Sequence, residues 1–271
     1  MIHEIFDIRT PDSQPYAQLV TYIQAYSPSI AVESRPLVLI CPGGGYNHTS
    51  DREAEPIALA FLSAGFHAAI LRYSCIPAVD PTARVELANA VALIHGHAQE
   101  WHIDPERIVL WGASAGGHLA AHYACTWHDE LPALAGKSEN ELAIGGLMLS
   151  YPVITAGEKA HRESIDNLLG EARKDDPDEV RRVSLENRVN RYVPKTFIWH
   201  TWTDGSVPAE NSLLFAEALK KEGISLEMHI FPTGGHGLSL ANHLTAGPSK
   251  TEIEPCCQVW ISLACAWMER L

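Results

Sequence analysis

Residues 107–117 read RIVLWGASAGG, and this stretch decides the fold of the chain. Its first five residues form an apolar, β-branched run that is typical of a buried strand. The small residues after Ser114 favour a helix. The pattern therefore places a serine on a sharp strand-to-helix turn, where the N–H groups of a helix N-terminus lie beside its hydroxyl. A capping serine in an ordinary tight turn is the alternative until partner residues are identified.

Length and composition indicate one domain over residues 1–271, because 46% hydrophobic content can bury one large core. The formal net charge of -13 argues against nucleic acid and anionic membranes as partners. No basic segment followed by an apolar run opens the chain, and the six scattered cysteines lack zinc-ligand or redox spacing. We therefore expect a cytoplasmic protein with free thiols, and the adjacent pair Cys256-Cys257 has no predicted role.

Short apolar runs alternate with longer helical ones, which predicts βαβ units and a mostly parallel sheet of about eight strands flanked by helices. Two runs at the N-terminus predict an antiparallel hairpin at one edge of the sheet. Strands are predicted at residues 3–8, 18–25, 36–41, 66–71, 107–112, 145–151, 196–200 and 226–231. Helices are predicted at residues 53–64, 81–101, 114–126, 209–222 and 252–270.

Residues 155–193 form an unusually long connection that is charged and only weakly apolar. A connection of this length is seldom structureless and often forms a lid or a binding loop. We expect a small cap inserted within the domain, and a plain surface helix with solvated charges is the alternative.

A serine hydroxyl needs a base within hydrogen-bond reach, and that base is usually a histidine oriented by a carboxylate. Only Asp204 and His236 combine the chain order Ser, Asp, His with positions directly after predicted strands. Glycines on both sides of His236 allow its loop to bend tightly. The sequence therefore predicts the catalytic triad Ser114, Asp204 and His236. An N-cap role ahead of Pro208 is an alternative for Asp204 and is compatible with the catalytic one.

The segment Pro42-Gly43-Gly44-Gly45-Tyr46 directly follows the third predicted strand. Consecutive glycines allow N–H groups to converge on one point, so Gly44, Gly45 and Ala115 are the predicted oxyanion hole. A flexible loop is the alternative, since no phosphate-binding glycine pattern is present.

His118 and His122 are four residues apart on the helix that follows the serine. No glutamate follows the first histidine, so the zinc-protease pattern is absent and we interpret the pair as helix packing. No metal ligands are predicted.

Four ordered motifs, PGGGY at 42–46, GASAGG at 112–117, DGSVP at 204–208 and GGHG at 234–237, resemble the acetyl-esterase and acetylxylan-esterase-like serine esterases. This group is akin to the hormone-sensitive-lipase group, in which a histidine stands where this chain has Pro42. The resemblance implies the α/β-hydrolase fold and hydrolysis of short-chain esters without cofactor or metal.

The leading interpretation is a serine carboxylesterase that cleaves a small-molecule, acetyl-like ester through an acyl-enzyme, with acetylated sugars as one candidate class of substrate and the alcohol left open. A peptide or amide hydrolase of the prolyl-oligopeptidase type, acyl transfer to another alcohol and a non-catalytic binding protein are the alternatives. The absence of a propeller domain argues against the first of these, and the complete triad argues against the last. Tyr46, Trp202 and Val207 adjoin the predicted catalytic loops and are candidate walls of a short acyl pocket, with ordinary packing as the alternative.

Overall fold

The computed structural model describes residues 1–271, and a single eight-stranded sheet runs through it in the order β1-β2-β4-β3-β5-β6-β7-β8. Strands β3 to β8 are parallel, while β1 and β2 form an antiparallel hairpin at one edge. The strands are β1 Ile5–Asp7, β2 Gln18–Tyr22, β3 Arg35–Cys41, β4 His67–Arg72, β5 Ile103–Ala113, β6 Gly146–Ser150, β7 Thr196–Thr201 and β8 Leu226–Phe231. The predicted hairpin and the mostly parallel sheet are confirmed.

Nine α-helices and two short 3-10 helices connect the strands. The α-helices are α1 Glu55–Ser63, α2 Thr82–Gly96, α3 Ser114–Thr126, α4 Leu131–Ala135, α5 Glu139–Leu142, α6 Arg162–Leu169, α7 Pro177–Arg182, α8 Glu210–Lys221 and α9 Trp260–Met268. The 3-10 helices are Asp51–Glu53 and Leu185–Asn187. None of the nine α-helices combines the length and the hydrophobicity needed to span a bilayer.

Side chains on the two faces of the sheet build two hydrophobic layers, because successive residues of a strand point to opposite faces. In β3, Leu37 and Leu39 pack in the layer that contains α2, α3 and α8, whereas Val38 and Ile40 pack in the layer that contains α1 and α9. The central strands are thus covered on both sides, as parallel sheets require.

The parallel strands β3, β5, β6, β7 and β8 end at the same edge of the sheet, where Cys41 pairs with Gly112 and Ala113 pairs with Ser150. Loops that follow these strands therefore emerge side by side. Ligand sites of open α/β sheets lie at this carboxyl edge. The predicted serine, aspartate, histidine and glycine loop all follow strands that end there.

Residues 155–193 contain α6, α7 and the second 3-10 helix. The insertion is attached to the body by the buried carboxylate of Asp80, which accepts hydrogen bonds from Arg84 at 2.9 Å and 3.1 Å and lies 2.9 Å from the guanidinium of Arg182 in α7. Burial opposes ionisation of Asp80, but the two guanidinium groups hold its pKa below the ordinary value. The insertion is therefore fixed to the body through a buried charge cluster.

The last helix differs from the prediction, since α9 covers Trp260–Met268 rather than residues 252–270. Residues 252–259 form turns and an irregular segment instead, and Pro255 among them has no N–H group to donate within a helix. Helix α3, by contrast, has the predicted bounds.

Candidate active site

Ser114 occupies the turn between β5 and α3 with a φ of 54°, in the left-handed region that non-glycine residues rarely adopt. The backbone packs so closely around this turn that no side chain fits at positions 112 and 116. A Cβ on Gly116 would lie 2.1 Å from the carbonyl oxygen of Cys41, and one on Gly112 would lie 2.3 Å from that of Gly116. These contacts explain the small residues around the serine, and the turn is the predicted strand-to-helix elbow.

The side chains of Ser114, His236 and Asp204 lie in one hydrogen-bonded line. Ser114 Oγ donates to Nε2 of His236 at 2.7 Å, and Nδ1 of His236 donates to Oδ2 of Asp204 at 2.7 Å. The carboxylate acceptor keeps the proton on Nδ1, so Nε2 is free to receive the serine proton. The structure brings together the three residues that the sequence singled out as a triad.

Asp204 is buried, and both of its carboxylate oxygens are occupied. Oδ1 accepts hydrogen bonds from the backbone N–H groups of Ser206 at 2.9 Å and Val207 at 3.0 Å. Nε2 of His200, a fully buried histidine in β7, lies 3.3 Å from Oδ2. Burial opposes ionisation, but hydrogen bonds from His200 and His236 outweigh it and hold the pKa of Asp204 well below its ordinary value. The carboxylate therefore stays charged beside His236.

The loop Gly43–Gly45 is held by hydrogen bonds to its carbonyl groups. The oxygen of Gly43 accepts from Ser50 N–H at 2.8 Å, and the oxygen of Gly44 accepts from Asn47 N–H at 3.0 Å. The oxygen of Gly45 accepts from the side-chain amide of Asn167 in α6 at 2.8 Å. Every carbonyl of the three glycines is thus engaged.

The amides of Gly44 and Gly45 have no protein acceptor, in contrast to the carbonyls of the same loop. Both residues have positive φ values, 129° and 65°, which glycine adopts without steric cost. Ala115 is in the first turn of α3, where N–H groups have no intrahelical partner. These three amides are therefore available to an oxygen atom of a ligand.

A cavity of about 290 Å³ opens in front of Ser114 and is lined entirely by polar residues and glycines. The lining residues are Gly44, Gly45, Asn47, His48, Ser50, Arg52, Glu53, Ser114, His161, Glu163, Ser206, His236 and Gly237. His161 and Glu163 belong to the 155–193 insertion, which therefore forms part of the wall. A larger groove of about 500 Å³, mostly apolar, lies between α1 and residues 240–244 and contains none of the triad residues.

None of the three candidate walls of a short acyl pocket, Tyr46, Trp202 and Val207, lines this cavity. Tyr46 is buried in the hydrophobic layer beneath the loop, where its hydroxyl lies 3.0 Å from Nδ1 of His118. Val207 is fully buried, and Trp202 is 65% exposed on the outer surface. Proximity in sequence to a catalytic loop did not determine where these side chains point.

Three further residues bear on the site and were not predicted from the sequence: Glu53, Asn167 and His200. Glu53 and Asn167 contact the glycine loop from other elements, so local patterns do not reveal them, whereas His200 is only four residues from Asp204. The order His-x-x-x-Asp at the end of β7 was the one available signal for His200.

His118 and His122 are both buried within α3, as the packing interpretation expected. His118 bridges two segments, since its Nδ1 faces the Tyr46 hydroxyl and its Nε2 faces the carbonyl oxygen of Val183 at 2.9 Å. Burial lowers the pKa of His118 to about 4. The pair is thus part of the core that supports the insertion.

Comparison with known proteins places the chain in a family. Residues 23–219 match the BD-FAE family. The acetyl ester-xyloside bifunctional hydrolase of Caldicellulosiruptor lactoaceticus has a similar solved structure, with 34% sequence identity and a TM-score of 0.82. That alignment covers 98% of this chain and 96% of the other.

Two longer proteins are also similar in sequence. Endo-1,4-beta-xylanase B of Butyrivibrio fibrisolvens is 36% identical over 222 residues, which is 77% of this chain but 33% of that protein. The acetylxylan esterase of Xylanibacter ruminicola is 28% identical over 72% of this chain and 39% of its own length. This chain thus spans less than half the length of these two relatives.

The family match covers most of the chain, and the solved structure with a TM-score of 0.82 shows the same overall fold. The resemblance stated from the four sequence motifs is confirmed. The chain belongs to the BD-FAE family, and its fold is that of the α/β-hydrolases.

Proposed function

We propose that this protein is a serine carboxylesterase that hydrolyses short-chain, acetyl-like esters through an acyl-enzyme. The observation that carries the proposal is the hydrogen-bonded line of Ser114, His236 and Asp204 beside three unpaired amides. A nucleophile, its base and a set of donors for an oxyanion are the parts that acyl transfer needs.

In the first half-reaction, Ser114 Oγ attacks the ester carbonyl while Nε2 of His236 takes its proton. The carbonyl oxygen becomes an oxyanion, and the N–H groups of Gly44, Gly45 and Ala115 donate hydrogen bonds to it. The charge of Asp204 stabilises the imidazolium. His236 then gives its proton to the alcohol oxygen, the carbon–oxygen bond breaks and the acyl group stays on Ser114.

In the second half-reaction, water replaces the alcohol in front of the acylated serine. His236 Nε2 removes a proton from the water as it attacks the acyl carbonyl, and the same amides hold the second oxyanion. Collapse of this intermediate returns the proton to Ser114 Oγ and releases the carboxylic acid. No cofactor enters either half-reaction.

The lining of the cavity supports a small acyl group and a hydroxyl-rich alcohol. A long acyl chain requires an apolar channel, and no apolar side chain lines the cavity in front of Ser114. The imidazole, carboxylate and amide groups of His161, Glu163 and Asn47 are suited to hydrogen bonds with alcohol hydroxyls. Acetylated sugars have this chemistry, and the names of the acetyl ester-xyloside hydrolase and the acetylxylan esterase support the assignment.

The Ser114→Ala variant tests the proposal, with Ser63→Ala as the matched control. Ser63 is exposed, and its hydroxyl donates only to the carbonyl of Ala60. We expect the wild type and Ser63→Ala to hydrolyse p-nitrophenyl acetate and to be labelled by a fluorophosphonate at Ser114 in peptide mass spectrometry. We expect Ser114→Ala to fold, to lose hydrolysis and to remain unlabelled. Activity that survives in Ser114→Ala, or labelling at another residue, contradicts the assignment.

A further inference from the structure

A buried carboxylate at the cavity has no part in the reaction steps described above. Glu53, at the end of the first 3-10 helix, is only 4% exposed and lies among the residues that line the cavity. It forms no ion pair, since the guanidinium of neighbouring Arg52 donates to the carbonyl oxygens of Thr245 and Gly237. A buried charge without a cation must be stabilised by hydrogen bonds.

Both oxygens of Glu53 accept a hydrogen bond from a group next to the reaction centre. Oε2 accepts from the backbone N–H of Gly43 at 2.8 Å, and Oε1 accepts from the hydroxyl of Tyr151 at 2.7 Å. Hydrogen bonds to an ionised acceptor are about twice as strong as neutral ones. The carboxylate therefore binds the glycine loop on one side and the residue after β6 on the other.

Tyr151 extends this connection to the loop that carries the histidine. Its hydroxyl oxygen accepts from the backbone N–H of Ser239 at 2.9 Å. Its ring lies edge-to-face with the imidazole of His236, with centroids 5.2 Å apart. The two loops that supply the oxyanion donors and the base are thus joined through one carboxylate.

The contact with Gly43 is close enough to determine the shape of the glycine loop. A Cβ on Gly43 would lie 2.7 Å from Oε2 of Glu53 and 2.9 Å from Cβ of Ser114. The carboxylate, the glycine and the nucleophile therefore occupy adjoining space. Pro42 has neither an N–H group nor a polar side chain, so it cannot donate a hydrogen bond that anchors the start of the loop.

We propose that Glu53 is a positioning residue for the oxyanion donors. Its carboxylate binds the first glycine amide, holds the Pro42–Gly43 peptide on its N–H side while Tyr73 holds the carbonyl side, and leaves the next two amides, of Gly44 and Gly45, for the substrate oxygen. Through Tyr151 it also fixes the backbone of the histidine loop. This inference rests on the proposed esterase function and adds a residue that acts without touching the substrate.

Glu53→Ala and Glu53→Gln test the inference, and Glu55→Gln is the matched control. Glu55 is two residues away, is exposed and accepts a 3.1 Å hydrogen bond from Tyr22 outside the cavity. Loss of one oxyanion donor lowers kcat by roughly 10²–10³-fold in other hydrolases, so we expect Glu53→Ala to lose about 10²-fold in kcat. Because the substrate contacts remain, KM stays within about threefold, since lost transition-state stabilisation appears in kcat.

The Gln variant separates charge from contact, because its amide can still accept from Gly43 and donate to Tyr151. We expect kcat of Glu53→Gln to be about tenfold below the wild type and above that of Glu53→Ala, since neutral hydrogen bonds are weaker. Labelling of Ser114 by a fluorophosphonate, whose phosphoryl oxygen occupies the oxyanion position, should slow in the same order. If Glu53→Ala does not fold, as thermal unfolding will reveal, Glu53→Gln decides the question.

Failure of the inference and failure of the proposed function give different results. A wild type without serine-dependent hydrolysis overturns the function. An active wild type with a folded Glu53→Ala of unchanged kcat, or with a raised KM alone, overturns the inference. A Glu53→Gln variant equal to the wild type in kcat also overturns it, and Glu55→Gln should match the wild type throughout.

Discussion

The side-chain amide of Asn167 donates a 2.8 Å hydrogen bond to the carbonyl oxygen of Gly45. Asn167 lies in α6 of the 155–193 insertion, so this contact joins the insertion to the loop that supplies two of the proposed oxyanion donors. The Asp80–Arg182 contact holds the same insertion to the body from its other end. These contacts indicate that the insertion is a fixed cap rather than a lid that opens in each turnover.

Asn167→Ala should lower kcat by about tenfold, because the Gly45–Tyr46 peptide loses the donor to its carbonyl oxygen, and the adjoining peptide that carries the Gly45 N–H group then loses its exact placement. KM for p-nitrophenyl acetate should change little. Asp166→Ala, on the same helix, removes only an exposed ion pair with Arg162 and serves as the control. Steady-state kinetics of the two variants check this prediction, and equal kcat values would show that the insertion does not hold the loop.

Asp204→Asn should lower kcat by about 10⁴-fold, the loss known for the same change in a protease triad. The amide cannot balance the imidazolium charge, and it favours the wrong tautomer of His236. Asp12→Asn, at an exposed position, is the control for the loss of one negative charge. Hydrolysis of p-nitrophenyl acetate and thermal unfolding are measured together. A nearly silent Asp204→Asn would mean that another group orients His236.

kcat/KM should be highest for acetyl to butyryl esters and should fall for longer acyl chains. Each methylene buried in an apolar channel contributes about 0.8 kcal/mol, and the cavity offers no apolar side chain to receive it. A series of p-nitrophenyl esters from acetyl to palmitoyl gives the measurement. Specificity that rises from butyryl to octanoyl would contradict both the small-acyl proposal and the polar character of the cavity.

Stability should fall as the pH decreases from about 6.5 towards 4, partly because of His118. Burial lowers its pKa to about 4 from an ordinary value of 6.5, so the unfolded chain binds a proton in this range that the folded chain does not. The contribution of neutral His118 to the free energy of unfolding is present in full above pH 6.5 and is lost as the pH falls through 4. The total loss from this group is roughly 3 kcal/mol.

Urea unfolding at pH 7.5, 5.5 and 4.5 measures this dependence. His118→Gln should lose less free energy of unfolding between pH 7.5 and 4.5 than the wild type, whatever its stability at pH 7.5. His243→Gln, at an exposed position, should follow the wild type. If the free energy of unfolding of His118→Gln depends on pH as steeply as that of the wild type, the buried imidazole does not resist protonation.

The sequence predicted the parts of the site that depend on local chain geometry. The RIVLWGASAGG stretch predicted the bounds of α3, and the strand ends predicted the positions of Asp204 and His236, because parallel strands carry their loops to one edge. The terminal helix was predicted too long, because the prediction followed the apolar residues of the segment and did not allow for Pro255, which cannot donate a helical hydrogen bond.

Long-range contacts do not follow from local sequence patterns. Glu53 was predicted only as the start of a helix, because its partners Gly43 and Tyr151 come from other elements. Tyr46 and Val207 were assigned to the cavity, yet both are buried in the core, where removing their apolar surface from water is favourable. The direction of a side chain in a loop depends on the packing beneath the loop, and the neighbouring residues in the sequence do not specify that packing.

The amides of Gly44, Gly45 and Ala115 belong to the main chain, and this limits how mutation can alter them. A codon change replaces a side chain and leaves the N–H group in place, except where it introduces proline. Alanine scanning of the cavity would thus identify the nucleophile and its base but would leave these N–H groups themselves in place. Exchange of a single amide for an ester by chemical synthesis would delete one directly. Apart from a proline, a mutation can only displace these groups, either through the side chains that support the loop or through a Cβ at Gly44, which would lie 2.2 Å from the carbonyl oxygen of His48.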